Sequence, residues 1–150
     1  KFEAEVAVVI GRTARRIRPE EAEGVVFGCT VANDVSALDF FHPEGHWTIG
    51  KAFDTFLPLG PVVDTAFDWR SARIRAAVNG EPKQNGSMEE IIMTIERQIA
   101  YISGFMTLRP GDVILTGTPA GADWVGAGDV VTCAVDGIGE LTNPVAAARA

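Results

Sequence analysis

Two nearly continuous apolar runs constrain this chain more than any other feature: Val6 to Ile10 (VAVVI) and Val25 to Ala32 (VVFGCTVA). The first reads as a strand running into a turn, and the second has the pattern of a strand buried on both faces, so the fold has to enclose it. The first run follows Phe2-Glu3-Ala4-Glu5 and stops at Gly11. Alternate residues of a strand share a face, so Glu3 and Glu5 point the same way. Two carboxylates side by side next to a buried strand repel unless positive charge neutralises them. Mg2+, Mn2+ or Ca2+ would do so, because hard cations prefer carboxylate oxygens; the plainer alternative is the solvated face of an edge strand.

The rest of the chain divides into short elements. Gly11 to Arg18 (GRTARRIR) reads as a basic, solvated connector, and Pro19-Glu20-Glu21-Ala22-Glu23 as one or two helical turns stopped by Gly24. A short helix and a Gly/Pro-rich loop are expected over residues 35–50, followed by irregular extended chain over 51–61 that lines something. Ile74 to Val78 leads into Asn79-Gly80, a hairpin turn that needs positive φ. Ser87-Met88-Glu89-Glu90 is a capping box, from which a helix is expected to run to about Ser103 and end at Gly104. Ile91, Ile92, Ile95, Ile99 and Ile102 supply its apolar stripe. Val113 to Thr116, Val130 to Val135 and Glu140 to Thr142 read as further strands. Many strands, one long helix and few βαβ units give an α+β class with a mixed sheet.

A chain of 150 residues is long enough for one domain with a sizeable core. Thirteen basic against twenty acidic residues give a net charge of −7, and no basic patch interleaves with aromatics, which argues against nucleic acid as a partner. No apolar run approaches membrane-spanning length, so no membrane partner is expected either. Cys29 and Cys133 lie in apolar runs and read as reduced core thiols, which favours a cytoplasmic setting. The chain opens on Lys1-Phe2 already inside a strand, so a segment upstream is expected.

Asp34 ends the second apolar run, where an Asx cap is its ordinary role, and Lys51 stands between a glycine and an apolar stretch. Taken jointly, Glu3-Ala4-Glu5, Ala7-Val8-Val9-Ile10-Gly11-Arg12, Asn33-Asp34-Val35-Ser36-Ala37, Lys51-Ala52-Phe53-Asp54-Thr55 and Gly60-Pro61 resemble the fumarylacetoacetate hydrolase family in order and spacing. Val78-Asn79-Gly80-Glu81, the run from Leu108 through Pro110-Gly111-Asp112 to Gly117-Thr118-Pro119, and Gly137-Ile138-Gly139 extend the match over essentially the whole chain.

The resemblance implies a β-roll, a homodimer, and a divalent metal held by Glu3, Glu5 and Asp34. It places Lys51 beside metal and substrate as the catalytic residue, with Thr118, Thr55 and Asp39 as candidate substrate-binding residues. Asp39 has a local hydrogen-bonding role as its alternative. The implied chemistry is hydrolysis, decarboxylation or keto–enol isomerisation of 2-oxo and β-diketo acids, as in 2-hydroxyhepta-2,4-diene-1,7-dioate isomerase or acylpyruvate hydrolase. Three carboxylates against a divalent cation leave −1, and Lys51 brings the count to zero, so an anionic substrate is not repelled. Thr118 is expected to donate a hydrogen bond to the substrate carboxylate.

Two departures stand out. Leu38 occupies the position of an Arg that clamps substrate in many members, and Phe41 that of a Gln. The family's general-base His and its Glu partner belong to a lid upstream of the metal motif, leaving His42 and His46 as the imidazoles of this chain. The competing expectation is therefore a member that binds metal and a 2-oxo acid without turnover; a purely structural Ca2+ site is a third.

Overall fold

The computed structural model describes residues 1–147. Strands β1 (Ala4–Ile10), β2 (Val26–Asn33), β3 (Leu59–Asp64), β4 (Arg73–Val78), β5 (Glu81–Ser87), β6 (Val113–Leu115), β7 (Val130–Val135) and β8 (Gly139–Pro144) form two four-stranded sheets. Their orders are β3-β2-β1-β6 and β5-β4-β7-β8. Helices are the four-residue α1 (Thr48–Lys51), the longer α2 (Ile95–Phe105) and four short 3-10 turns. The α+β roll expected from the sequence is what forms. Every strand pairing in it is antiparallel, so the mixed sheet is not seen among the described residues.

Strand alternation in β1 separates core from site. Phe2, Ala4, Val6, Val8 and Ile10 share one face and join a single apolar core with Cys29 and Val31 of β2. Ile74, Ala76 and Val78 of β4, Val131, Cys133 and Val135 of β7, and Ile95 and Ile99 of α2 complete that core from the other side. The opposite face of β1 carries Glu3, Glu5, Ala7 and Val9. Antiparallel register pairs Glu5 with Ala32, and the Asp34 N–H donates to the Glu3 carbonyl at 2.8 Å. Directly opposed residues project to the same side, so Asp34 joins the two glutamates.

The Asn79-Gly80 hairpin forms as expected, with φ of 53° and 82° at its two central residues. The long helix does not. Both arms of the Ser87 capping box are made, to the Glu89 N–H at 3.2 Å and from the Ser87 N–H to Glu90 at 3.5 Å, but they cap only the 3-10 turn Met88–Glu90. The chain then extends through Ile91, and a second cap, Thr94 accepting from the Arg97 N–H, starts α2. Ile92 is fully exposed, so the five isoleucines are not one stripe. A second cap seven residues downstream competes with the first, and sequence periodicity alone does not choose between them. At the other end α2 passes Gly104, and Arg15 donates to the carbonyls of Ser103 and Gly104 at 2.7 Å each. The basic connector is therefore partly a helix cap rather than only a solvated turn. Residues 59–61, the end of the stretch expected to be irregular, instead open the edge strand β3, where Pro61 is tolerated because an edge leaves its side without a ladder partner.

Ile99→Ala should cost about 3 kcal/mol in urea unfolding, the usual range for emptying a buried aliphatic site. Ile92→Ala should change stability by less than about 0.5 kcal/mol, as for other exposed positions. Equal losses at both positions would contradict the placement of α2.

Candidate active site

The open end of the β1–β2 pair is stapled by local hydrogen bonds. The Glu3 N–H donates to the Asn33 side chain at 3.0 Å, the Ser36 N–H to the Lys1 carbonyl at 2.9 Å, and the Ser36 hydroxyl to Glu3 at 3.3 Å. These bonds hold Glu3, Glu5 and Asp34 so that one carboxylate oxygen of each lies within 4.8 Å of the other two. Ligands on opposite sides of a cation sit about 4.2 Å apart for Mg2+ and about 4.8 Å apart for Ca2+. Separations within 4.8 Å are therefore compatible with the ligand spacing around a hard divalent cation.

Lys51 completes the cluster. It ends α1, whose Gly50 carbonyl accepts from the Ala37 N–H at 2.8 Å. Gly50 is required there: a Cβ would stand 2.2 Å from the Phe41 ring and 2.7 Å from the Ala37 carbonyl. With the helix docked so closely, the Lys51 ammonium donates to Glu3 at 2.8 Å and to Asp34 at 2.5 Å. Burial alone would pull Lys51 below its ordinary pKa, but the bonds to Asp34 and Glu3 outweigh it and raise the value, so the ammonium is charged at neutral pH.

Glu5 is the buried member, 3% exposed, and its one protein partner among the described residues is the Gly117 N–H at 2.7 Å. Gly117 has φ of 103°, a conformation that favours glycine and aims the turn after β6 at the carboxylate. Burial pushes the Glu5 pKa from 4.5 up to about 7; Asp34 and Glu3 add to the rise, while Gly117 and Lys51 oppose it. Three carboxylates with one ammonium leave two surplus negative charges in a half-buried site, which matches the charge of one divalent cation.

The other expected residues fall differently. Thr118 is half-buried beside the cluster, but its hydroxyl donates to the Ala4 carbonyl at 2.8 Å and accepts from Gln84 at 2.8 Å. Its proton is already committed, so the donation to a substrate carboxylate expected of it does not fit this arrangement. Thr55 is exposed in a turn with φ of 71°, and Asp39 is exposed in the 3-10 turn Leu38–Phe40. Neither hydrogen-bonds to the carboxylates. His42 and His46 face each other at 5.9 Å in an exposed loop, away from the cluster's hydrogen bonds. Ser36 and Gly117, which touch the site, stood in the quoted motifs without an assigned role, and Gln84 went unremarked in the sequence. Gln84 sits in the stretch Glu81 to Ser87, polar apart from Pro82 and Gly86, and only the hairpin register, which sets it opposite the buried Ala76, marks it as internal.

A glutamate whose folded pKa is raised binds its proton more tightly when folded. Its contribution is therefore complete below about pH 4.5 and is lost as pH rises through 7. In metal-free buffer, stability should fall across that window by up to about 3 kcal/mol, from 1.36 kcal/mol per pKa unit. Glu5→Gln should flatten this slope in urea titrations run at several pH values; an unchanged slope would refute the assignment.

Comparison with known proteins shows the family and supports the fold. Residues 1–146 match the fumarylacetoacetate (FAA) hydrolase C-terminal family. The chain is 44% identical over 156 residues to the mitochondrial oxaloacetate tautomerase fahd2 of Xenopus laevis, covering 96% of this chain and 49% of that protein. To the human mitochondrial oxaloacetate tautomerase FAHD2A it is 41% identical, covering 96% and 50%. The crystal structure of 5-carboxymethyl-2-hydroxymuconate delta-isomerase from Mycobacterium smegmatis superposes with a TM-score of 0.94 at 43% identity, over 97% of this chain and 58% of that one. The chain thus spans about half the length of these curated relatives. From its first strand through β8, this chain belongs to the fumarylacetoacetate hydrolase C-terminal family.

Proposed function

We propose that the site handles a 2-oxo acid in a metal-dependent reaction, with keto–enol isomerisation foremost among the family's C–C hydrolysis, decarboxylation and isomerisation chemistries. The observation that carries this reading is the convergence of Glu3, Glu5 and Asp34 within 4.8 Å around the Lys51 ammonium. The names of the relatives, an oxaloacetate tautomerase and a muconate delta-isomerase, favour proton movement over bond cleavage. A divalent cation such as Mg2+ or Mn2+, with Ca2+ as the alternative, would supply Lewis acidity at the oxygens of a bound 2-oxo acid.

The chain's own residues carry the rest of the argument. Glu3, Glu5 and Asp34 offer the anionic oxygens, and the Gly117 N–H favours the ionised form of Glu5. Lys51 keeps its proton, so it is a fixed positive charge for the carboxylate or enolate oxygen of a ligand rather than a base at neutral pH. One divalent cation plus Lys51 balances three carboxylates, so an anionic ligand enters an uncharged site. A homodimer belongs to the same reading. The two buried, unpaired cysteines, Cys29 and Cys133, suit a reducing compartment such as the cytoplasm. No helix among the described residues is long and apolar enough to cross a membrane.

A second reading, ligand binding without turnover, is favoured by Leu38, half-buried in the turn beside Ala37 and Ser36 where many members carry Arg. It shares the site and differs only in catalysis.

Titrating oxalate, a planar dianion resembling a 2-oxo enolate, into protein with and without Mn2+ tests both readings. Oxalate should bind only with metal present, and Glu5→Ala should lose that binding. Lys51→Ala should weaken oxalate by about 2 kcal/mol, or roughly thirtyfold, as expected for removing a charged hydrogen-bond donor. Oxalate binding that is indifferent to EDTA would refute the site. Metal-dependent binding with no consumption of enol-oxaloacetate would decide for the second reading.

A further inference from the structure

Behind the carboxylates lies a polar side chain that their chemistry leaves unexplained. Gln84, on β5 of the opposite sheet, is only 2% exposed and sits directly across from the Glu3-Ala4-Glu5 strand. Its Oε1 accepts from the Ala4 N–H at 3.0 Å. Its Nε2 donates to Thr118 Oγ1 at 2.8 Å and to the Pro119 carbonyl at 2.6 Å. Thr118 Oγ1 in turn donates to the Ala4 carbonyl at 2.8 Å, which closes a ring.

The polarity of this ring follows from its members. Ala4 N–H can only donate and the Pro119 carbonyl can only accept, so the amide of Gln84 has a single workable orientation. Thr118 must then accept from Nε2 and give its proton to the Ala4 carbonyl. A ligand atom reaching Thr118 Oγ1 meets a lone pair and no proton, so it has to be a donor, such as the O–H of an enol.

The ring also replaces a missing strand. β6 pairs with β1 only at Ala7, Val8 and Val9, and the Thr116 N–H continues the pattern to the Val6 carbonyl. Beyond that point the chain turns away at Gly117, and the N–H and C=O of Ala4 would face the gap unpaired. The Gln84 amide and the Thr118 hydroxyl take the place of a peptide group there. Ala4 lies between two of the three carboxylate residues, and Gly117, the partner of Glu5, adjoins Thr118. Gln84 thereby links the ligand strand to the turn at both Thr118 and Pro119.

We propose that Gln84 is a positioning residue for the carboxylate site: it acts through Ala4 and Thr118 to hold Glu5 against Gly117 and to present Thr118 as an acceptor. This role rests on the reading of the cluster as a cation and 2-oxo acid site. Outer residues of this kind tune metal affinity by about ten- to a hundredfold.

The test is calorimetric titration of Mn2+, and then of oxalate into the Mn2+-loaded protein, at a temperature where each variant is folded. Gln84→Met, close in volume but without hydrogen bonds, should bind Mn2+ about ten- to a hundredfold more weakly than wild type. Ile99→Ala, which destabilises the same core but leaves the ring intact, should keep wild-type affinity. Gln84→Glu keeps the bond from Ala4 and loses both donated bonds. Its shortfall against wild type should shrink between about pH 8 and about pH 6, as a buried carboxyl takes up a proton and regains a donor. This variant decides the matter if Gln84→Met does not fold. Wild-type affinities in folded Gln84→Met, or a Gln84→Glu ratio flat with pH, would overturn the role of Gln84 alone. Wild type binding neither Mn2+ nor oxalate would overturn the reading of the site, and this role with it.

Discussion

The structure depends on a contest between charge repulsion and strand pairing at one end of β1. Three carboxylates are held together because the β1–β2 ladder leaves Glu3, Glu5 and Asp34 no choice of face. Lys51 offsets part of the repulsion through bonds to Glu3 and Asp34, and among the described residues Glu5 meets only the Gly117 N–H. Burial above all, with Asp34 and Glu3 adding to it, pushes the Glu5 pKa up to about 7. On the proposed reading, a divalent cation would relieve this repulsion.

The elements around the cluster can be understood from this demand. Gly50 lets α1 approach Phe41 closely enough for Lys51 to reach two carboxylates. Gly117 turns the chain after β6 so that a backbone donor, which carries no net charge, faces Glu5. Gln84 reaches across from the second sheet to satisfy Ala4 where β6 stops. The two sheets therefore share a polar seam at the site, while elsewhere they meet through the apolar core. Such seams are worth most when every member is satisfied, and this one is closed on itself.

Relatives that this chain matches over 96% of its length carry tautomerase names, and a solved neighbour is a delta-isomerase. Leu38 and the committed Thr118 proton distinguish this site from one built to clamp a carboxylate with Arg and a hydroxyl donor. On the proposed reading, both features would favour charge neutralisation by the cluster over bidentate anion capture.

Alternation along Phe2 to Ile10 was enough to separate core from carboxylate face, because the two-residue period of a strand is a local property. The Asn79-Gly80 hairpin and the strands near Val113 and Val130 were legible for the same reason. The resemblance carried by Glu3, Glu5, Asp34 and Lys51 named the cluster, and the fold does bring those four together. What the sequence left undecided depended on competing or distant partners. Thr94, not Ser87, starts α2, because two adequate caps compete and packing chooses between them. Nothing in the sequence singled out Gln84, because its partners at Ala4 and Thr118 lie 80 and 34 positions away in the chain. Local periods determined the faces and the turns. Tertiary structure alone decided which protons, charges and backbone groups meet at the site, because those pairings join residues that no short-range pattern relates.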